Sequence, residues 1–220
     1  MHTYPVSKCG EATVRESLEF YRNMGYDGVF LTNHFLDGNI NVDAELPYKE
    51  KIDFYFSDYE EALSIGSELG IKVFLGVEIS YGGTDFLIYG LDKQWYLNHP
   101  EIMNMKKSDE LPYLMDNGAL VIQAHPFREA HYIDHIRLFP RCVHGVESDN
   151  ATDPDISNTM AKFYAKEYGL REISGSDNHK AGNALRIAGI ETETPLVSER
   201  DFMERFFRGE YSCFSIKLRD

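Results

Sequence analysis

Four times along this 220-residue chain, a helix-like segment closes on a glycine and is followed within a few residues by an apolar, β-rich run. The closing glycines are Gly25, Gly70, Gly118 and Gly169. The runs are residues 27–32, 71–77, 119–122 and 170–173. Each run ends in polar chemistry: Asn33-His34, Glu78, His125, and Asp177 with His179. Helices alternating with buried strands predict an α/β fold with a parallel sheet. In such folds the working groups gather on the loops at the carboxyl ends of the strands, so the four polar ends are expected on one face.

The last of these ends, Ser174-Gly175-Ser176-Asp177-Asn178-His179, places a carboxylate and an imidazole two residues apart. Strand geometry continued through them aims both side chains at one point, as a pair of metal ligands requires. Taken alone, the same residues read equally as a capped turn. The metal reading gains weight from the number of such ends. His2, His34, Glu78, His125, Asp177 and His179 supply four imidazoles and two carboxylates. Mixed nitrogen and oxygen donors suit zinc, manganese or iron better than magnesium or calcium. Six groups exceed what one tetrahedral ion takes, so two or three divalent transition metals are expected, and paired metals commonly serve phosphoester hydrolysis.

Composition sets the outer limits. The length accommodates one sizeable core, so residues 1–220 are read as a single domain. No apolar run approaches a membrane span, and the first residues show no secretory signal pattern. Cys9, Cys142 and Cys213 are odd in number and lack Cys-x-x-Cys spacing, which predicts reduced thiols in a cytoplasmic protein. A formal charge of −14 argues against long nucleic acids as partners. It leaves room for a small phosphorylated molecule, because a bound metal reverses the local charge. Oligomeric state is not legible.

Local signals predict the elements. Thr13 with Glu16 forms a capping box, and Val14, Leu18, Tyr21 and Met24 keep helical spacing to Gly25. Ser57 with Glu60 repeats the pattern, predicting a second helix from Ser57 to Gly70 and an irregular loop over residues 35–56. Residues 80–84 predict a turn leading to a hairpin partner over 85–91. Residues 92–107 form a second long connection, either a lid carrying Trp95 or a loop packing its aromatics. Further helices are predicted around Leu111 to Met115, from Pro154 to Gly169, and from Ser198 to Phe207, with a last strand over 211–216.

The ordered set His2-Thr3, Thr32-Asn33-His34, Gly76-Val77-Glu78, Ala124-His125-Pro126, Gly145-Val146-Glu147 and Gly175-Ser176-Asp177-Asn178-His179 resembles the polymerase and histidinol phosphatase (PHP) family of metal-dependent phosphoesterases. The resemblance covers nearly the whole chain. It implies a distorted seven-stranded β/α barrel, related to the TIM barrel, with a two- or three-metal centre at the strands' carboxyl ends. It places the main cluster on His2, Glu78, His125 and Asp177, and a further ion on His34 and His179. Two departures stand out. The family opens His-x-His, and Met1 occupies the x, so a β-rich run ending in histidine is expected upstream of Met1; the alternative is a chain that begins here with a ligand replaced by water. A histidine about six residues after that motif is also absent. Cys9 stands near its place, as a soft ligand or as a plain buried thiol.

Arg128 follows His125 by three residues and is a candidate phosphate clamp, or an arginine on a solvated loop. Glu147, ending its own strand, is expected to orient a histidine or a substrate hydroxyl. His131, His135 and His144 follow no ligand spacing. The expected activity is hydrolysis of a small phosphomonoester or short nucleotide by metal-activated water, with Asp177, His179 and Arg128 in catalytic roles. The rivals are amidohydrolase-like amide hydrolysis, for which no candidate carbamylated lysine is seen, and a non-catalytic metal-binding or regulatory domain.

Overall fold

The computed structural model describes residues 1–218. Helix α1 (Val14–Asn23) begins as its capping box dictates: the Thr13 side chain accepts from the Glu16 amide, and the Glu16 carboxylate accepts from the Thr13 amide. Its Val14, Leu18 and Tyr21 pack into one apolar cluster with Val29 and Leu31 of β1 (Gly28–Leu31) and Ala62 and Ile65 of α2 (Tyr48–Leu69). Strand β1 pairs in parallel with β2 (Lys72–Leu75), the crossover being α2. That helix starts ten residues earlier than its capping-box pattern predicts, at Tyr48 after an N-cap at Pro47 instead of after Ser57. Ile52, Tyr55 and Phe56 continue the buried face upstream, so Ser57 falls on the exposed side, where its hydroxyl donates to the Phe54 carbonyl. Burial of that face outweighs a local cap.

Strands β3 (Val77–Tyr81) and β4 (Thr84–Tyr89) form the expected hairpin around Gly82 and Gly83. Strand β4 pairs antiparallel with β5 (Leu120–Gln123), which pairs in parallel with β6 (Gly145–Asn150) and through it with β7 (Arg171–Gly175). The five-stranded sheet is therefore mixed rather than parallel, because a hairpin turn this short admits only antiparallel neighbours. Between β4 and β5 run α3 (Lys93–Asn98), a 3₁₀ turn (Pro100–Asn104) and α4 (Lys107–Asp116). The aromatics of this connection are packed: Tyr96 is fully buried, and Trp95 stacks on His99 with ring centroids 4.2 Å apart. Helix α5 (Asp155–Tyr168) joins β6 to β7. Strands β8 (Arg186–Glu191) and β9 (Ser212–Lys217) make a separate antiparallel pair around α6 (Glu199–Arg208), whose Phe202 and Phe206 cover Leu87, Tyr89, Leu120 and Ile122.

The fold is mixed α/β, and the pairing of the described strands does not close them into one seven-stranded sheet, as the expected distorted barrel would. Among the described residues nine strands lie in three sheets of two, five and two. The β1–β2 pair meets the five-stranded sheet through one parallel bridge, His34 to Glu78. On the other side of β1 lie the first residues of the chain: the Met1 amino group donates to the Phe30 carbonyl, the Thr32 amide donates to the Met1 carbonyl, and the His2 amide donates to the Asn178 carbonyl beyond β7. These bonds bring His2, the end of β1 and the loop after β7 to one place. Among the described residues no helix is long and apolar enough to cross a membrane.

Candidate metal centre

Glu78 is the hub. Its Oε2 lies 3.1 Å from His2 Nε2, and its Oε1 lies 3.8 Å from His34 Nδ1 and 3.7 Å from His125 Nε2. His2 Nε2 is also 3.1 Å from Asp177 Oδ1, and His125 Nε2 is 3.6 Å from Asp85 Oδ2. The ring of His2 lies 4.5 Å from that of His34 and is stacked on His179 at 4.6 Å. All six ligands expected from the sequence are therefore neighbours. Asp85, on β4, joins them without having been expected, because a lone aspartate opening a hairpin strand carries no ligand spacing.

Asp177 and His179 are not aimed by strand alternation. Strand β7 ends at Gly175, and Asp177 sits at φ +44°, as His125 does at +24° after β5. Positive φ is costly for residues with a Cβ and persists where the surroundings over-determine it. Here the carboxylate of Asp177 is gripped by Arg128 and faces His2, and His179 Nδ1 hydrogen-bonds the Asp177 carbonyl at 2.7 Å.

The donor set fits a metal ion. Glu78 Oε1 and His34 Nδ1 are buried atoms with no hydrogen-bond partner among the described residues. The separations of Glu78 Oε1 from His34 Nδ1, 3.8 Å, and from His125 Nε2, 3.7 Å, are too long for hydrogen bonds. They are close to the spacing of about 3.4 Å between donors that share an ion at bond lengths of about 2.1 Å. An unpaired buried oxygen costs about 1–3 kcal/mol, more when charged, and a cation between the donors removes that cost.

Electrostatics point the same way. Burial lowers the basicity of His2, but Glu78 and Asp177 more than offset it and raise its pKa to about 9. Burial and Arg128 disfavour the charged form of His125, yet Glu78 and Asp85 raise it to about 9. Burial, together with the His2 charge, pushes His34 and His179 down to about 4. Burial alone favours protonated carboxyls at Glu78 and Asp177; His2 and His34 for the first, His2 and Arg128 for the second, hold both well below the usual range. Burial raises Asp85 to about 6 and Glu147 to about 7, and a neighbouring carboxylate, Glu78 for the first and Asp177 for the second, adds to each rise. The centre thus crowds negative groups that a divalent cation would neutralise.

Arg128 is mostly buried and turned inward rather than spread on a solvated loop. Its Nη2 donates to Asp177 Oδ2 and to Thr152 Oγ1, both at 2.7 Å, and its Nε donates to Asp153 Oδ1 at 2.7 Å. Glu147 Oε2 accepts from the His125 amide at 3.1 Å and from Asn150 Nδ2 at 2.9 Å, so it fixes the backbone that presents His125. Gly175 makes room for that carboxylate: a Cβ there would stand 2.1 Å from Glu147 Oε1. Asn150, Thr152 and Asp153 escape sequence reasoning, since they have no regular spacing from Arg128. His131 and His135 are exposed, and His144 accepts the Val121 amide. Glu78, His125, Glu147 and Asp177 open on a cavity of about 570 Å³ that is also lined by Tyr26, Phe30, Tyr89 and Phe214.

No family model and no curated protein matches this sequence. Solved structures do match its fold. A two-domain protein from Bacteroides vulgatus containing a predicted PHP-like metal-dependent phosphoesterase aligns with a TM-score of 0.68 at 15% identity, over 97% of this chain and 62% of that one. This chain therefore spans less than two thirds of that protein. A protein from Bifidobacterium adolescentis, predicted to be a metal-dependent phosphoesterase, aligns at 0.57 and 13% identity, over 94% of each chain. An amidohydrolase from Chromobacterium violaceum, with bound sulfate and no metal, aligns at 0.53 and 13% identity, over 96% of this chain and 95% of that one. The chain shares the mixed α/β fold of these PHP-like and amidohydrolase structures.

Proposed function

We propose that this chain is a metal-dependent hydrolase of phosphoric esters, acting on a small phosphomonoester or a short nucleotide. The observation that carries the reading is Glu78: a buried carboxylate with an unpartnered oxygen, ringed by His2, His34 and His125 and facing Asp177 through His2. His2, Glu78, His125 and Asp177 would hold the main pair of ions, with His34 and His179 serving a further one. Zinc, manganese and iron suit this donor set. When bound, such ions supply Lewis acidity and an activated water, which phosphoester hydrolysis requires.

The remaining residues support that centre. Glu147 and Gly175 lock the turn that presents His125. Arg128 holds the outer oxygen of Asp177 and leaves the inner one to the centre. We assign Arg128 first as a positioning residue; as the planar cation beside Asp177, it is also the group best shaped to meet a phosphoryl oxygen. The side chain of His179 is 21% exposed, against 2–13% for His2, His34 and His125, and offers the shortest route for a proton to solvent. The strongly negative chain favours a compact phosphorylated substrate over a nucleic-acid polymer.

The test is a panel of phosphomonoesters, short nucleotides and amides, assayed with added manganese and zinc. Phosphate release that disappears in Asp177→Asn and His125→Ala, with both variants folded, supports the reading. Turnover of amides alone would overturn it in favour of amide hydrolysis. Stoichiometric metal with no turnover of any class would favour a metal-binding or regulatory role.

A further inference from the structure

We propose that Cys9 is a metal ligand, its thiolate completing with His34 and His179 a sulfur–nitrogen site beside the nitrogen–oxygen donors around Glu78. The proposal rests on the metal-dependent reading above, and its test separates the two. Donor atoms of His2, Cys9, His34 and His179 all lie within 4.8 Å of one another. Of these, His2 already directs Nε2 to Glu78 and Asp177 at 3.1 Å each. Cys9, His34 and His179 remain as a set of their own. His34 Nδ1 is buried without a hydrogen-bond partner among the described residues, as is the neighbouring Glu78 Oε1 on a side chain only 3% exposed.

The backbone on both sides of Cys9 is fastened to this set. The Lys8 amide donates to the Asn39 carbonyl at 2.9 Å, and the amides of Glu11 and Ala12 donate to the carbonyl of His179 itself at 2.8 and 3.1 Å. Gly10 permits the fold-back: a Cβ there would meet the Thr3 carbonyl carbon at 2.6 Å. Nor does Cys9 behave as a core-filling thiol. It is half-buried and belongs to no apolar cluster among the described residues, whereas Cys142 packs against the main core.

The chemistry balances without an oxidant. As the metal–sulfur bond forms, the S–H bond breaks and its proton passes to water. A thiolate biases this site toward zinc, iron or cobalt and away from magnesium, calcium and manganese. The two classes of site in one centre would then prefer different ions.

The experiment loads the reduced, metal-stripped full chain with Co²⁺ and records cobalt content, the visible ligand-field bands and the near-ultraviolet thiolate-to-cobalt charge-transfer band. The band is expected in the wild type, in Cys142→Ser and in Cys213→Ser. It is expected to vanish in Cys9→Ser, with cobalt content falling by about one equivalent per chain. Cys9→His should restore the content without the band. Independently of any variant, alkylation of Cys9 in the wild type should slow when cobalt or zinc is added. Cobalt bound with no charge-transfer band, a band that survives in Cys9→Ser, or alkylation of Cys9 indifferent to metal would each overturn the proposal while leaving the hydrolase reading standing. A wild type that binds no cobalt would overturn both.

Discussion

Replacing Arg128 by alanine is expected to destabilise the metal-free protein by about 3–5 kcal/mol, the cost of removing one partner from a buried ion pair. The figure follows from the surroundings. Arg128 is 17% exposed and bonds two carboxylates, Asp153 and Asp177, each 5% exposed and each at 2.7 Å. A surface pair would contribute only about 0–1 kcal/mol. At a urea slope of about 2 kcal/mol/M, the midpoint should fall by roughly 2 M. The effect should also depend on pH with a defined sign. Asp177 is held below its ordinary pKa by His2 and Arg128 against the opposing effect of burial. A depressed carboxyl pKa stabilises the fold above the unfolded value of about 3.9, and that stabilisation is lost as pH falls toward the folded pKa. The gap between wild type and variant should therefore be full at neutral pH and narrow below about pH 4. Arg128→Lys, which keeps the charge and loses the fork, should lie between the two. Metal content of the same samples reads the role: loss of metal with loss of stability assigns Arg128 to holding Asp177, whereas metal retained with weakened phosphosubstrate binding assigns it to the substrate. A loss under about 1 kcal/mol would refute the reasoning, because it would mean that Arg128 behaves as a surface residue.

Gly175→Ala should cost about 2–4 kcal/mol in urea unfolding, since a Cβ 2.1 Å from Glu147 Oε1 must displace a carboxylate bonded to the His125 amide and Asn150; a neutral result would show that Glu147 has room to move. The contribution of Glu147 to the stability of the metal-free protein should decline as pH rises from about 4.3, because burial raises Glu147 to about 7, and a raised carboxyl pKa stabilises the fold only below it; His34 and His179, lowered to about 4, contribute with the opposite sign between about 4 and 6.5. Glu147→Gln should flatten that decline by up to about 3 kcal/mol, and an unchanged pH profile would count against the assignment. Thr13→Ala should cost about 1 kcal/mol through the lost cap of α1, read as a shift in the unfolding midpoint.

Much of this molecule is local enough to be read from neighbouring residues. The Thr13 capping box starts α1, Pro154 precedes α5, Ser198 caps α6, and glycines at positions 70, 169 and 209 end their helices in the left-handed region. The polar ends of four apolar runs named His34, Glu78, His125, Asp177 and His179, and, with His2, those residues meet. Such signals depend on spacing over three or four positions, which sequence displays directly.

Other features were decided only by contacts between distant segments. The face that buries Ile52 and Tyr55 set where α2 begins, overriding the Ser57 cap, and strand β8 took shape only against β9. Sheet direction followed from the hairpin at Gly82-Gly83, and the β1–β2 pair stands apart from the five-stranded sheet because the bridge between His34 and Glu78 is isolated. Asp85 enters the centre because β4 turns back beside Glu78. Arg128 is committed to Asp177, 49 residues away, and Cys9 reaches His34 and His179 because the Thr3–Gly10 loop folds onto the segment after β7. The identity of a ligand depends on its own side chain and is written in one residue; its distance from another ligand depends on the register and packing of everything between them, which no local pattern encodes.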